Sequence, residues 1–323
     1  MTSNTLLGHD VAIADFVNAA EGGRMHHAWL LTGEEGIGKS LFAQHAAAFL
    51  IETSGQRSGF RDALDSPAAR QMLHGSHPDV RHVKPDADKA AGQIGVDQIR
   101  SMSTLFQTTA GMGGWRVAIL DAADDMNRNA ANAILKLLEE PPPRSVFFLI
   151  SHAPGRLLPT IRSRCRQLRF QPLSQEDTLA ALSSAVPDLD EPDRNQLMTL
   201  APGSPGRALA LHDAHALDYW VAVDKLFEAL PALDRQALLG LADQMTDRVG
   251  SDSFRVCWTL LEDKAAQAVK GHISQDAEDW VQAIPLQRWL DFQAALTDRR
   301  GQILGLNMSP RQTVLELMAA LAG

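Results

Sequence analysis

Cysteine is nearly missing from this 323-residue chain, which has Cys165 and Cys257 and no others. Two thiols cannot build a disulfide framework or a cysteine-rich zinc site, and a reducing cytoplasm is the compartment this usage implies. Also lacking is any apolar run near the roughly 18 residues of a membrane span, so no membrane contact is expected. The opening stretch Met1–Asp10 is polar, without a basic segment leading into an apolar one, and reads as no secretory signal. There is no surplus of positive charge either, the formal net charge being -9. Binding nucleic acid through bulk electrostatics needs clustered Lys and Arg, so any such contact would be local or shared with partner chains. What remains is ordinary for a soluble globular protein: 45% hydrophobic and 21% charged residues, on a chain long enough for two or three domains.

The first half alternates short apolar runs with helical patterns, the signature of βαβ units and a parallel sheet. Ala28–Leu31, Val80–Val83, Val117–Leu120 and Val146–Ile150 are the strand candidates. Continuous apolar runs such as the last two suit strands buried on both faces. After Phe170 the character changes. From Ser174 onward no strand is convincing, and helical periods are separated by Pro- and Gly-bearing breaks such as Ala201–Gly206. The expected architecture is an α/β P-loop domain over 1–170, its parallel sheet flanked by helices. A small helical lid domain follows over 171–211, then an all-α C-terminal domain over 212–323. The stretch 215–323 holds 15 acidic against 10 basic residues, which fits a solvated helical bundle.

Gly33-Glu34-Glu35-Gly36-Ile37-Gly38-Lys39-Ser40 satisfies G-x-x-x-x-G-K-[ST] at every fixed position. It follows a strand candidate and opens the helical pattern Leu41–Leu50, the context the motif requires. Gly33, Gly36 and Gly38 let the backbone curl so that successive N–H groups face phosphates, and the helix N-terminus adds its partial positive charge. Lys39 is placed to reach the β- and γ-phosphates of ATP, and Ser40 to ligate Mg²⁺. A Gly-rich turn that binds nothing would share the composition, but not the strand before it and the helix after it.

Val117-Ala118-Ile119-Leu120-Asp121 is an apolar strand ending in a carboxylate, the form of strand that holds Mg²⁺ through water in P-loop proteins. Hydrolysing P-loop enzymes place a Glu directly after that Asp to polarise the attacking water. Here the position is Ala122, which can neither accept a proton nor orient a water. Asp124 and Asp125 lie beyond the strand end and are discounted as substitutes. ATP and Mg²⁺ binding without hydrolysis is the expectation.

Two further stretches are more particular: Asn132-Ala133-Ile134-Leu135-Lys136-Leu137-Leu138-Glu139-Glu140-Pro141-Pro142 and Leu157-Leu158-Pro159-Thr160-Ile161-Arg162-Ser163-Arg164-Cys165. Together they resemble the subunits of the bacterial DNA polymerase III clamp loader, an AAA+ family assembly. Asp121-Ala122-Ala123 in place of Asp-Glu, with Gly203-Ser204-Pro205-Gly206 downstream, is most similar to the delta-prime branch of that family. The resemblance covers about Gly8 to Leu211. Beyond that it rests on length and helical character.

The resemblance implies a subunit that helps load the sliding clamp onto primer-template DNA in a hetero-oligomer with gamma/tau-like ATPases and a delta-like subunit. The C-terminal helices would form the oligomerising collar. Ser163-Arg164-Cys165 matches the family's SRC motif, which makes Arg164 an arginine finger acting in trans on a neighbour's ATP. Arginine suits this task, being always charged and able to contact phosphate oxygens through two N–H groups. Ser151, directly after a strand, matches the sensor 1 position. Hydrolysing relatives carry a sensor 2 Arg where Gly206 stands here, with Arg207 one residue late, so Arg207 is not assigned to nucleotide. Many relatives also insert a four-cysteine zinc module before the His-Pro-Asp that His77-Pro78-Asp79 matches. Glu52–Ser76 has no cysteine, and His74 with His77 cannot complete a tetrahedral site, so no zinc is expected.

The competing readings are an autonomous P-loop ATPase that remodels protein or DNA, and a small-molecule kinase. Ala122 argues against the first, and the second gives the long helical tail and the SRC motif no role.

Overall fold

The computed structural model describes residues 5–52, 59–85, 93–106, 114–245, 252–306 and 308–323. By compactness the chain divides into Met1–Leu209 and Ala210–Gly323.

The first unit is built on five strands: β1 Ala28–Thr32, β2 Val80–Val83, β3 Arg116–Leu120, β4 Ser145–Ser151 and β5 Arg166–Arg169. Their order in the sheet is β2-β3-β4-β1-β5, and every neighbouring pair is parallel. Successive side chains on a strand point to opposite faces, and the apolar residues of the central strands sort accordingly. Trp29, Leu31, Val117, Ile119, Phe148 and Ile150 face one layer, with α1 (Asp10–Glu21) and α2 (Lys39–Ile51). Phe16 of α1 sits at its centre, with the rings of Trp29, Phe42, Phe60 and Phe148 at 5.4 to 5.9 Å. Each such buried side chain contributes about 1.5–3 kcal/mol through its removal from water. The short helix α3 (Pro67–Leu73) joins this layer through Ala69 and Met72.

The opposite face carries Ala28, Leu30, Ala118, Leu120, Phe147 and Leu149, covered by α4 (Val96–Thr104), α5 (Arg128–Glu139) and α6 (Pro159–Arg162). Asn127 caps α5 by accepting from the Ala130 amide at 2.9 Å, and Ala130, Ile134 and Leu138 form its buried stripe. All four strand candidates occur. The fifth strand, β5, was not anticipated: its sequence Arg-Gln-Leu-Arg buries only Leu168. It is an edge strand, and its exposed charges are what such an edge needs to resist pairing with another chain. Arg166 nonetheless has a fixed place, 4.8 Å over the Trp29 ring.

Among the described residues no strand follows β5. Helices α7 (Gln175–Ala185) and α8 (Glu191–Leu200) begin on side-chain caps: Ser174 accepts from the Asp177 amide at 3.0 Å, and Asp190 from the Asp193 amide at 2.9 Å. Helix α9 (Pro205–Asp213) opens with a proline, which lacks the N–H that would have been unpaired there.

The second unit holds α10 (Ala216–Glu228), α11 (Arg235–Gln244), α12 (Asp252–Ser274), α13 (Asp279–Gln282), α14 (Leu286–Leu306) and α15 (Pro310–Ala322). Phe227 packs among Trp280, Trp289 and Phe292 at 5.9 to 6.3 Å. Lys264 is buried, forms an ion pair with Asp224 and lies over the ring faces of Trp220 and Trp280 at 4.4 and 5.3 Å. No described helix is long and apolar enough to cross a membrane.

Candidate functional site

Strand β1 is buried along its whole length and delivers the chain into the loop Gly33–Ser40, from which α2 departs. Three loop glycines have positive φ: Gly33 at 148°, Gly36 at 77° and Gly38 at 103°. Gly36 is constrained most. A Cβ there would meet the Arg207 amide nitrogen and come within 2.5 Å of Ser204 Oγ. The segment Gly203–Gly206, at the start of α9, lies directly on the loop. Ser204 Oγ donates to the Glu35 carbonyl at 2.7 Å, and the Gly206 amide donates to the Gly36 carbonyl at 2.8 Å. Gly206 must itself be small, since its Cβ would stand 2.8 Å from that carbonyl oxygen. Gly206, which the sequence resemblance sets at the sensor 2 place, thus makes a backbone-to-backbone clasp on the loop.

Lys39 is 2% exposed, and its Nζ donates to the Gly33 carbonyl at 2.7 Å and to the Glu34 carbonyl. Burial brings its pKa down to about 8, against the opposing pull of the Asp121 and Glu35 carboxylates. Ser40 Oγ donates to Asp121 Oδ2 at 2.7 Å, and His82 Nε2 stands 3.5 Å from the same oxygen. Burial works to raise the Asp121 carboxyl, but the His82 and Ser40 hydrogen-bond groups and the Lys84 charge outweigh it and hold the pKa below the ordinary range. Hydroxyl and ionised carboxylate converge beside the lysine, so Ser40 and Asp121 fit Mg²⁺ on a bound nucleotide and Lys39 fits its phosphates. Bound there, the pair would supply phosphate charge and a metal to neutralise it; the chain's own part is to hold the ammonium and carboxylate in place. Ala122 is buried and offers the attacking side no acid or base.

Ser151 is fully buried at the end of β4, and its hydroxyl donates to Asp124 Oδ1 at 2.7 Å. Asp124 Oδ2 accepts from the His152 amide at 2.5 Å and the Ala153 amide at 3.2 Å. Asp124, set aside in the sequence as lying past the strand, is therefore the residue that ties the end of β3 to the turn after β4. Asp125 has its carboxyl raised, by burial first and then by Asp124 beside it. His9 is a second residue that the motifs did not flag. It adopts φ 60°, its Nε2 hydrogen-bonds with the Ile37 carbonyl at 2.7 Å, and its ring meets Phe170 edge-on at 4.8 Å.

Arg164 lies apart from these groups in character. It follows α6 and is 35% exposed at the side chain. Its Nη1 donates to the Thr160 carbonyl at 2.9 Å, and its Nη2 pairs with Glu139 Oε1 at 2.8 Å. Cys165 next to it is partly buried, and desolvation pushes its thiol up to about 12, which leaves no thiolate to act as a nucleophile at neutral pH.

Residues 8–174 match the family model described as DNA polymerase III, delta subunit, a span of more than half the chain. The chain belongs to that family. Curated proteins similar to it include DNA polymerase III delta-prime subunits. One from Pseudomonas aeruginosa is 43% identical over 194 residues, 59% of this chain and 58% of the relative. Another, from Escherichia coli, is 33% identical over 214 residues, 66% of this chain and 62% of the relative. The matched stretches thus span less than two thirds of either relative. Among solved structures, a DNA polymerase III gamma subunit-related protein of Thermotoga maritima aligns at 16% identity with a TM-score of 0.48, covering 96% of this chain and 97% of its own.

Within this family frame, the structure brings Gly33, Gly36, Gly38, Lys39, Ser40 and Asp121 together around one loop, with Ser151 linked in through Asp124. Arg164 belongs to another set of partners, Thr160 and Glu139. Among the described residues no group of three or more His, Cys, Asp or Glu side chains could hold a metal ion on its own; residues 53–58 of the interval read for a zinc module lie outside those described.

Proposed function

We propose that this chain is a delta-prime-like subunit of a DNA polymerase III clamp loader that completes a neighbour's ATPase site rather than running one of its own. It assembles with gamma/tau-like ATPases and a delta-like subunit in the cytoplasm, and through that complex meets the sliding clamp and primer-template DNA. The helical lid over 171–211 and the collar over 212–323 are part of this reading, the collar holding the ring together.

The observation that carries it is the contrast between Ala122 and Arg164. The place for a hydrolytic acid holds a buried methyl group, while a guanidinium stands partly exposed with donors to spare. Nucleotide held by Lys39, Ser40 and Asp121 serves structure or assembly in this reading, because Ala122 gives the position after Asp121 no acid to activate water.

The test is Arg164→Ala in a reconstituted complex, with clamp- and DNA-stimulated ATP hydrolysis as the readout. An arginine finger supplies on the order of 10³ or more in rate at its own site. The total falls by less, since other interfaces keep their fingers, and assembly is unchanged. Arg164→Lys rescues poorly, because an ammonium lacks the planar fork. Full hydrolysis by an assembled Arg164→Ala complex overturns the reading. So does turnover by the isolated wild-type chain at the rate of an ordinary P-loop ATPase.

A further inference from the structure

We infer that Glu139 is a positioning residue for Arg164, holding its guanidinium aimed outward for a neighbour's phosphates; this rests on the arginine-finger reading above. Arginine carries five N–H donors in a rigid plane on a long flexible stem. A free side chain of this kind loses rotamer entropy when it is fixed. Here the loss is met before any ligand arrives. Nη1 is held by the Thr160 carbonyl at 2.9 Å and Nη2 by Glu139 Oε1 at 2.8 Å, so two nitrogens of the plane are fixed at once. The remaining N–H groups have no hydrogen-bond partner among the described residues, and the side chain stays 35% exposed. The guanidinium is oriented without being used up.

A second observation points the same way. Glu139 is the last residue of α5, followed by Glu140 and then Pro141-Pro142-Pro143. A helix C-terminus carries partial negative charge and favours a cation, so two successive carboxylates there are unfavourable for the helix itself. Pairing with Arg164 gives Glu139 a reason to stand where helix energetics would not place it. An ion pair this exposed contributes little to stability, which leaves orientation as its main effect.

The experiment uses a reconstituted complex whose other subunits have had their finger arginines replaced, so that Arg164 is the finger left to read. Glu139→Ala and Glu139→Gln are compared with Arg164→Ala and with the Glu139→Ala/Arg164→Ala double variant, measuring kcat and KM for ATP. Glu139→Ala is expected to lower kcat by up to roughly a hundredfold, the scale of a catalytic group misplaced by about 1 Å, with KM unchanged. Glu139→Gln, which keeps an acceptor oxygen, falls less. In the Arg164→Ala background Glu139→Ala should add nothing. Thermal melting of either Glu139 variant should match the wild type, which separates positioning from a folding defect.

If Arg164→Ala leaves turnover intact, the finger reading fails and this inference fails with it. If Arg164→Ala lowers turnover while neither Glu139 variant does, the positioning role alone is overturned. It is equally overturned if Glu139→Ala raises kcat, which would make the carboxylate a restraint, or if its effect persists without Arg164.

Discussion

The phosphate loop and the Arg164 region differ in where their polar groups are spent. Around the loop, the groups that mark it as a nucleotide site close onto the chain itself. Lys39 bonds loop carbonyls, Ser40 bonds Asp121, Ser151 bonds Asp124, and the Gly206 amide bonds the Gly36 carbonyl. Buried polar groups need partners, and this set finds them internally. Arg164, by contrast, makes two bonds, stays partly exposed and has further N–H groups without a partner among the described residues. A motif that is complete in sequence thus says less about activity than the direction in which its donors point.

The largest effect expected from breaking this contrast is at Gly36. An alanine there would have to hold φ near 77°, at about 1–2 kcal/mol, and would also press on the Arg207 amide and Ser204 Oγ, at about 1–3 kcal/mol. Gly36→Ala should therefore destabilise the first unit by about 3 kcal/mol, a fall of roughly 6–12 °C in melting temperature for a body of this size. Gly206→Ala, which meets the Gly36 carbonyl without the φ penalty, should cost less. Differential scanning calorimetry showing no change for Gly36→Ala would mean that the Gly203–Gly206 segment does not clasp the loop.

A middle-sized effect concerns Lys39 and nucleotide. In the free chain its ammonium loses the proton near pH 8, while bound phosphates favour the charged form and raise that pKa. Binding ATP then takes up a proton at pH above about 8, so affinity falls as pH rises, by at most about tenfold per pH unit. The ligand-free fold responds with the opposite sign. Its lysine pKa is below the unfolded value of 10.5, so stability rises as pH climbs from about 8 towards 10.5. Calorimetric titration with ATP and Mg²⁺ across that range reads the first trend. A flat affinity would remove Lys39 from the phosphate contact.

Much of this was legible in the sequence where one local rule decided the outcome. Buried parallel strands are apolar without interruption, so β3 and β4 could be read directly, and the loop motif placed β1 and α2 around itself. Strand β5 was not legible, because Arg-Gln-Leu-Arg offers one buried residue and is a strand only by pairing with β1. The pairings that shape the site join residues far apart in the chain: Ser204 with Glu35, Ser151 with Asp124, Arg164 with Glu139. No spacing rule reaches across those intervals. The structural part of Asp124 was not legible for the same reason, since its partners arrive on the turn after β4. In the second unit the helices were legible from their periodicity, but the seating of Lys264 between Asp224 and two tryptophans was not.

The smallest effect is the one that most sharply separates the two regions. If Arg164 faces outward for a partner, the isolated chain should scarcely notice its loss. Its ion pair with Glu139 joins side chains 35% and 49% exposed, and exposed pairs of this kind contribute about 0–1 kcal/mol. The hydrogen bond to the Thr160 carbonyl is also solvent-accessible, so water can replace the donor when the side chain is removed. Arg164→Ala should therefore lower the melting temperature of the isolated chain by no more than about 1–3 °C, well inside the fall at Gly36→Ala. A drop comparable to the Gly36 variant would make Arg164 a structural residue holding α5 to α6, and any loss of ATP hydrolysis in the complex would then follow from a damaged subunit. A negligible drop, beside a large loss of turnover in the assembled ring, assigns the residue's value to the neighbour's site.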